Sequence, residues 1–187
     1  MKLRYNVITD FNGIVIFEPD RLIQFWGGQI QEGTDLYTHF MSSDDGDEVI
    51  NRGIIIPILA ITDAGYGVEF YINEKSDRAP KEIVFENGIY PLHVKSRLVL
   101  ADLAVLKEWI ENLGWIFVDV PRGYYGVIIR GFAHENRKGH IVDCGYEAIL
   151  ESKRSLPKYT ATQEANCQVL IPHRLARPHR AGKGRKS

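Results

Sequence analysis

A chain of 187 residues that is 44% apolar and 25% charged has ordinary globular composition and enough length for a sizeable core. Its two cysteines exclude a disulfide scaffold, and no run approaches the roughly 18 apolar residues of a helical membrane span, so a cytoplasmic protein without a membrane partner is expected. The net charge of −1 conceals a division: residues 1–150 hold 14 Lys+Arg against 22 Asp+Glu, a net of −8, whereas residues 151–187 hold 9 against 2, a net of +7.

Residues 3–11 alternate in part, with Leu3, Tyr5 and Val7 on one side, and run into Asn12-Gly13. An Asn-Gly pair between β-prone runs is a strong hairpin signal because both turn residues take positive φ, so a hairpin closing on residues 14–17 is predicted. Residues 21–26 (RLIQFW) read as one helical turn capped by Asp20, with an edge strand as the alternative; Gly27-Gly28 ends it. Residues 29–48 show little periodicity and carry Glu32, Asp35, Asp44, Asp45, Asp47 and Glu48 with no Lys or Arg. They read as a long acidic loop. Its SSDDGDE stretch puts the oxygen ligands, the glycine and the last glutamate out of register for an EF-hand, so a solvated loop is expected rather than a calcium site.

The run Ile54-Ile55-Ile56-Pro57-Ile58-Leu59-Ala60-Ile61 reads as a buried strand whose proline implies an edge or a bulge. Val68, Phe70 and Ile72 mark a half-buried strand. Asn87-Gly88 predicts a second hairpin between residues 82–86 and 89–100. Residues 102–113 break the β pattern: Asp102 is a candidate cap, Leu103, Leu106, Trp109/Ile110 and Leu113 recur at helical spacing, and Gly114 stands where a terminating glycine belongs. Trp109 and Trp115 read as core anchors. Residues 114–132 (GWIFVDVPRGYYGVIIRGF) read as two strands joined at Pro121-Arg122-Gly123, and a tyrosine just past such a corner can bond back to the turn backbone, as in β-sandwiches. A last strand follows over 141–150. Short strands with turn chemistry between them favour a mainly β fold, an antiparallel β-sandwich with one inserted α-helix at about 102–113. Residues 1–150 form that domain. Residues 151–187 are expected to be a basic C-terminal extension, partly disordered and dispensable for folding, since only 169–171 offer apolar surface.

Chemistry is sparse. His134, Glu135, His140, Asp143 and Cys144 are the one dense group of potential metal ligands, but the histidines lie six apart in a glycine-containing loop, not four apart on a helix. No metal and no cofactor are expected, and Cys144 reads as structural rather than nucleophilic. No nucleophile elbow, phosphate-binding glycine loop or paired-cysteine zinc spacing is present, so nothing supports an enzyme. Arg174, Arg177, Arg180, Lys183, Arg185 and Lys186 can each neutralise a phosphate, yet no aromatic residues interleave them for base stacking.

The order of hairpin, Trp26, acidic loop, two apolar strands, the Asn87-Gly88 element and Val120-Pro121-Arg122-Gly123-Tyr124-Tyr125-Gly126-Val127 resembles the competence-nuclease inhibitor (ComJ-type) family. The likeness spans roughly residues 5–133, and its most specific matches are Trp26, Asn87-Gly88 and Pro121-Arg122-Gly123 with Tyr125. The helix at 102–113 and the basic extension depart from it. The resemblance implies a small acidic β-sandwich that binds and silences a nuclease, akin to bacterial toxin-immunity proteins. The expected contact surface is Glu32, Asp35, Asp44, Asp45, Asp47 and Glu48, occupying a basic cleft that ordinarily receives phosphates. The alternatives are a small-molecule-binding sandwich with a pocket near Trp26, and nucleic-acid contact through the extension.

Overall fold

Alternating apolar side chains along most strands give two sheets whose inner faces close on one core. A computed structural model describes residues 1–170. The larger sheet orders β1 (Lys2–Ile8), β4 (Gly65–Ile72), β9 (Ile141–Lys153), β8 (Gly123–Glu135) and β5 (Ile83–Val94). The smaller orders β3 (Ile55–Leu59), β2 (Gly13–Phe17), β6 (Leu98–Asp102) and β7 (Ile116–Val118). All pairings are antiparallel except β4 with β9. The expected β-sandwich is therefore the observed architecture. Between the sheets Phe70, Val127 and Tyr146 meet Ile14, Ile16 and Leu100, all essentially without solvent exposure. Trp109 and Trp115 are core anchors as expected, each edge-on to Phe17.

Two of the three expected turns form but do not pair the strands they join, and the third does not reverse. Asn12 takes a φ of 49°, yet β1 lies in the larger sheet and β2 in the smaller. Residues 121–123 likewise carry the chain from β7 in one sheet to β8 in the other. The Tyr125 hydroxyl donates to the Pro121 carbonyl at 2.7 Å, the corner bond that the sequence implied. Asn87-Gly88 makes no reversal at all: it is an irregularity inside the single strand β5, between Asn87 and Tyr90 in the pairing with β8. Pro57 sits on edge strand β3, as its missing N–H requires.

Helices appear where a loop was expected and shrink where a long one was. The acidic segment holds α2 (Leu36–Ser42) and α3 (Asp45–Asn51), following α1 (Pro19–Phe25). Glu18, not Asp20, caps α1. Its buried carboxylate accepts from the Arg21 and Ser96 amides at 2.7 Å each and from the Ser96 hydroxyl at 2.8 Å. The helix expected at 102–113 is a single turn, α4 (Ala104–Lys107). Trp109 abandons the helix because its N–H and C=O bond the Thr34 carbonyl and the Gly33 amide, so tertiary pairing overrides helical periodicity.

The β4–β5 connection must cross the outer face of β9 and β8, and ion pairs hold it there. Glu69 and Glu147 stand opposite each other on adjacent strands, both buried. Arg78 bridges them, with Nη2 3.1 Å from Glu69 and Nε 3.2 Å from Glu147, while its guanidinium lies 3.3 Å from the Phe132 ring centroid. Ser76 donates to Glu147 at 2.7 Å, and Tyr71 to Glu69 at 2.9 Å. Burial works to raise the Glu69 carboxyl, but the Tyr71 hydroxyl and the Arg78 and Lys2 cations outweigh it and hold it below the ordinary value. Removing Arg78 leaves the buried Glu147 without a cation beside a Glu69 held only by Arg4 and Lys2. Arg78→Met is expected to cost about 3 kcal/mol or more at neutral pH. Because the Glu69 pKa is depressed by folding, its contribution is present at neutral pH and fades as acid protonates it; the gap between wild type and variant should therefore narrow below about pH 4. Urea unfolding at a series of pH values checks both the size and the direction.

The extension is not separate from the body over its described part. β9 runs on to Lys153, Thr160 donates its amide to the Ile89 carbonyl at 2.9 Å, and Asn87 bonds Thr162. Cys167 and Val169 are buried in the core. Surface for burial thus begins well before residue 169, unlike the expectation from the sequence. The proposed division at residue 150 consequently cuts through a strand. A chain ending at Lys153 should lose about 3 kcal/mol or more, because it deletes Tyr159, Cys167 and Val169 and uncovers the core they pack against. A midpoint in chemical unfolding equal to the full chain's would refute that.

Candidate functional site

Asp35 begins the acidic face. Its carboxylate caps α2, accepting from the Thr38 amide and hydroxyl at 2.8 Å each. Lys107 of α4 donates to the same carboxylate and to Thr38 Oγ1. The ammonium of Lys107, with the Thr38 amide, lowers the Asp35 pKa to about 2. α3 follows at once, with Asp44 at its cap position and Asp45, Asp47 and Glu48 in its first turn. Carboxylates there face the unpaired amides at the positive end of the helix, which offsets part of their mutual repulsion.

The six sequence-predicted residues come together only in part, and they differ in what they leave free. Glu48 accepts from Arg52 Nε at 2.6 Å, and Asp45 lies 2.7 Å from His39 Nε2, tying α3 to α2. Asp47 accepts from Gln163 Nε2 at 2.8 Å, a neutral donor from the extension. Glu32 and Asp44 are exposed. Among the described residues no cation pairs with Glu32, Asp44 or Asp47. Half of the acidic set is thus already satisfied inside the fold.

Beside these carboxylates lies a groove that sequence reasoning missed. Phe40 and Met41 of α2, Val49 of α3, Pro57 and Leu59 of β3, and Leu106 of α4 wall a cavity of about 230 Å3, with Ser43, Asp47 and Gln163 also lining it. Met41 is 60% exposed at its side. The available signal was the apolar Leu36, Tyr37, Phe40 and Met41 before the acids and Val49-Ile50 after them, hidden because each helix is only seven residues long. Neither Trp26, Trp115 nor Tyr125 lines this groove. Trp26 packs edge-on to His39, 4.9 Å between centroids, and Tyr125 is buried.

Among the described residues the remaining candidates do not converge on one metal site. His134 Nδ1 lies 2.6 Å from Glu82, and Asp143 pairs with Arg4. Among the described residues no group of three or more His, Cys, Asp or Glu is placed to hold a metal ion. Burial, and then the Asp143 carboxylate, push the Cys144 thiol up, away from the thiolate a nucleophile needs. The cations from Arg174 to Lys186 lie outside the described residues. No helix of the described residues is long and apolar enough to cross a membrane.

No known protein family and no curated protein matches the sequence. Two solved structures are similar in fold. One is ComJ from Bacillus subtilis, an inhibitor of the DNA degrading activity of NucA, at 13% identity and a TM-score of 0.48, covering 81% of this chain and 96% of that one. The other is the product of crocagin biosynthetic gene J, at 14% identity and a TM-score of 0.48, covering 82% and 96%.

Gly46 sets the spacing of the two helices that bound the groove. A Cβ there would stand 2.1 Å from the Phe40 carbonyl oxygen, a backbone atom that cannot swing aside. Gly46→Ala is expected to separate α2 from α3 and destabilise the protein by about 1–3 kcal/mol. Thermal and denaturant unfolding would show it; an unchanged midpoint would mean the helices part freely.

Proposed function

We propose that this chain is an inhibitor or immunity protein that binds a basic toxin or nuclease through the face formed by α2, α3 and the turn at Glu32. The observation that carries the reading is Asp47, which lines an apolar groove without a cationic partner among the described residues, on a helix whose cap position is the exposed Asp44. Unpaired carboxylates attract a basic partner over distance, and the groove offers surface that water leaves readily on contact. Carboxylates already paired inside the fold, such as Asp45 and Glu48, would exchange partners on binding and contribute less. Phosphate-binding clefts are lined with Lys and Arg, so an acidic face competes for the same cations as nucleic acid does.

Asp44→Asn with Asp45→Asn and Asp47→Asn should slow capture of a basic partner while leaving the fold intact, since none of the three is buried. The loss should be greatest at low salt, because such steering acts on the association rate more than on final affinity. Stopped-flow association with the product of the neighbouring gene, over a salt series, measures it. Equal rates and equal salt slopes would exclude this face as the contact, and no binding by either protein would remove the inhibitor reading.

A further inference from the structure

We propose that the groove between α2, α3 and β3 takes one bulky apolar side chain from a partner protein segment in which lysines or arginines flank that residue. The inference rests on the reading of the acidic face above and names what that face grips. The cavity, about 230 Å3, has room for several waters, but the side chains of Phe40, Val49, Pro57, Leu59 and Leu106 offer water no hydrogen bonds. Pro57 also lacks a backbone N–H. Water against that wall is poorly held, and an apolar group packing on it displaces it favourably. Met41, flexible and 60% exposed, can close over the entering group.

Charge decides what flanks the apolar group. Asp47 lines the cavity and Asp44 begins the same helix, neither paired with a cation among the described residues. A segment with acidic neighbours would bring like charges together. The body of a second copy is disfavoured for the same reason, because residues 1–150 carry a net of −8. An apolar anchor between cationic residues satisfies the floor and the rim together.

The test uses two fluorescein-labelled pentapeptides against the full chain, Lys-Arg-Leu-Arg-Lys and the same peptide with Ser in place of Leu. Anisotropy titrations at low and high salt give the affinities. The Leu peptide should bind about tenfold more tightly, the worth of burying one such side chain, and that ratio should survive added salt while both affinities fall. Met41→Gln, on the surface, and Leu59→Gln, with its unfolding midpoint followed, should each bring the two peptides toward parity. Asp44→Asn with Asp47→Asn should weaken both peptides alike. Equal binding of the two peptides would overturn the groove while leaving the acidic face standing. A Leu preference untouched by Met41→Gln and Leu59→Gln would place the site elsewhere and overturn it as well. A chain ending at Leu170 that binds the Leu peptide about tenfold more tightly than the full chain would make the protein's own basic extension the occupant, against the proposal. Failure of both peptides to bind even at low salt would sink the groove and the acidic-face reading together.

Discussion

Two carboxylates side by side on neighbouring strands are a liability that only a cation can remove. Glu69 and Glu147 face the same side of the larger sheet at matched positions on β4 and β9. In the sheet the row extends from Arg4 through both glutamates to Arg130 and Glu86, one residue from each of five strands. Arg130 is held by Glu86 at 2.6 Å and Arg4 by Glu69 at 3.1 Å, so the inner repulsion falls to Arg78. Arg78 arrives on the connection between β4 and β5, the strand at the far edge. The same guanidinium therefore neutralises the sheet centre and pins the crossover that makes the sheet order possible. A connection rich in Glu, Lys, Ser and Asp has little apolar surface with which to hold itself down. Its anchorage is electrostatic, and in so buried a place each partner needs the others.

Strands were legible because side-chain alternation is a local property. Pro57 announced its edge, and Tyr125 announced its corner. What the sequence could not convey was which strand each one meets. Asn12-Gly13 and 121–123 carry sound turn chemistry, yet a turn fixes only how sharply the backbone bends, and both bends here pass between sheets. The buried Glu69 and Glu147 were invisible for a related reason: each looks solvated until Arg78 is brought nine and sixty-nine residues along the chain to meet it. The helical spacing of Leu103, Leu106 and Trp109 did report burial of those three side chains. It misreported the backbone, which leaves the helix so that Trp109 can pair with residues 33 and 34.

The acidic face was legible in composition but not in form. Asp35 and the cluster at 44–48 are partly there to begin two helices, a local duty that uses the same charges a partner would meet. That dual use separates the residues by availability: Asp35 is committed to Lys107 and the α2 amides, whereas Asp44 makes no side-chain cap bond and Glu32 sits on an exposed turn. The groove arises because helices this short cannot cover the edge strand β3 completely. Its floor belongs to the sandwich and its rim to the helices, so shape and charge come from different parts of the chain.

The passage of the chain between sheets has a kinetic side. In β1 and β4 the paired residues are as far apart as Lys2 and Tyr71, and in β4 and β9 as far as Gly67 and Gly145. Such contacts require long loops to close before any pairing is gained. Among the described residues β8 and β9 form the one long hairpin with a short connection, pairing Tyr124 with Lys153 at its open end. Loop-closure entropy favours that ribbon as the first piece of sheet, with β5 adding to one side and β4 to the other. The parallel β4–β9 contact, which brings Glu69 beside Glu147, can form only after most of the chain between them has found its place. A chain still being synthesised holds Glu69 and Arg78 long before Glu147 exists, so the ion cluster at the sheet centre is completed only when the last strand docks.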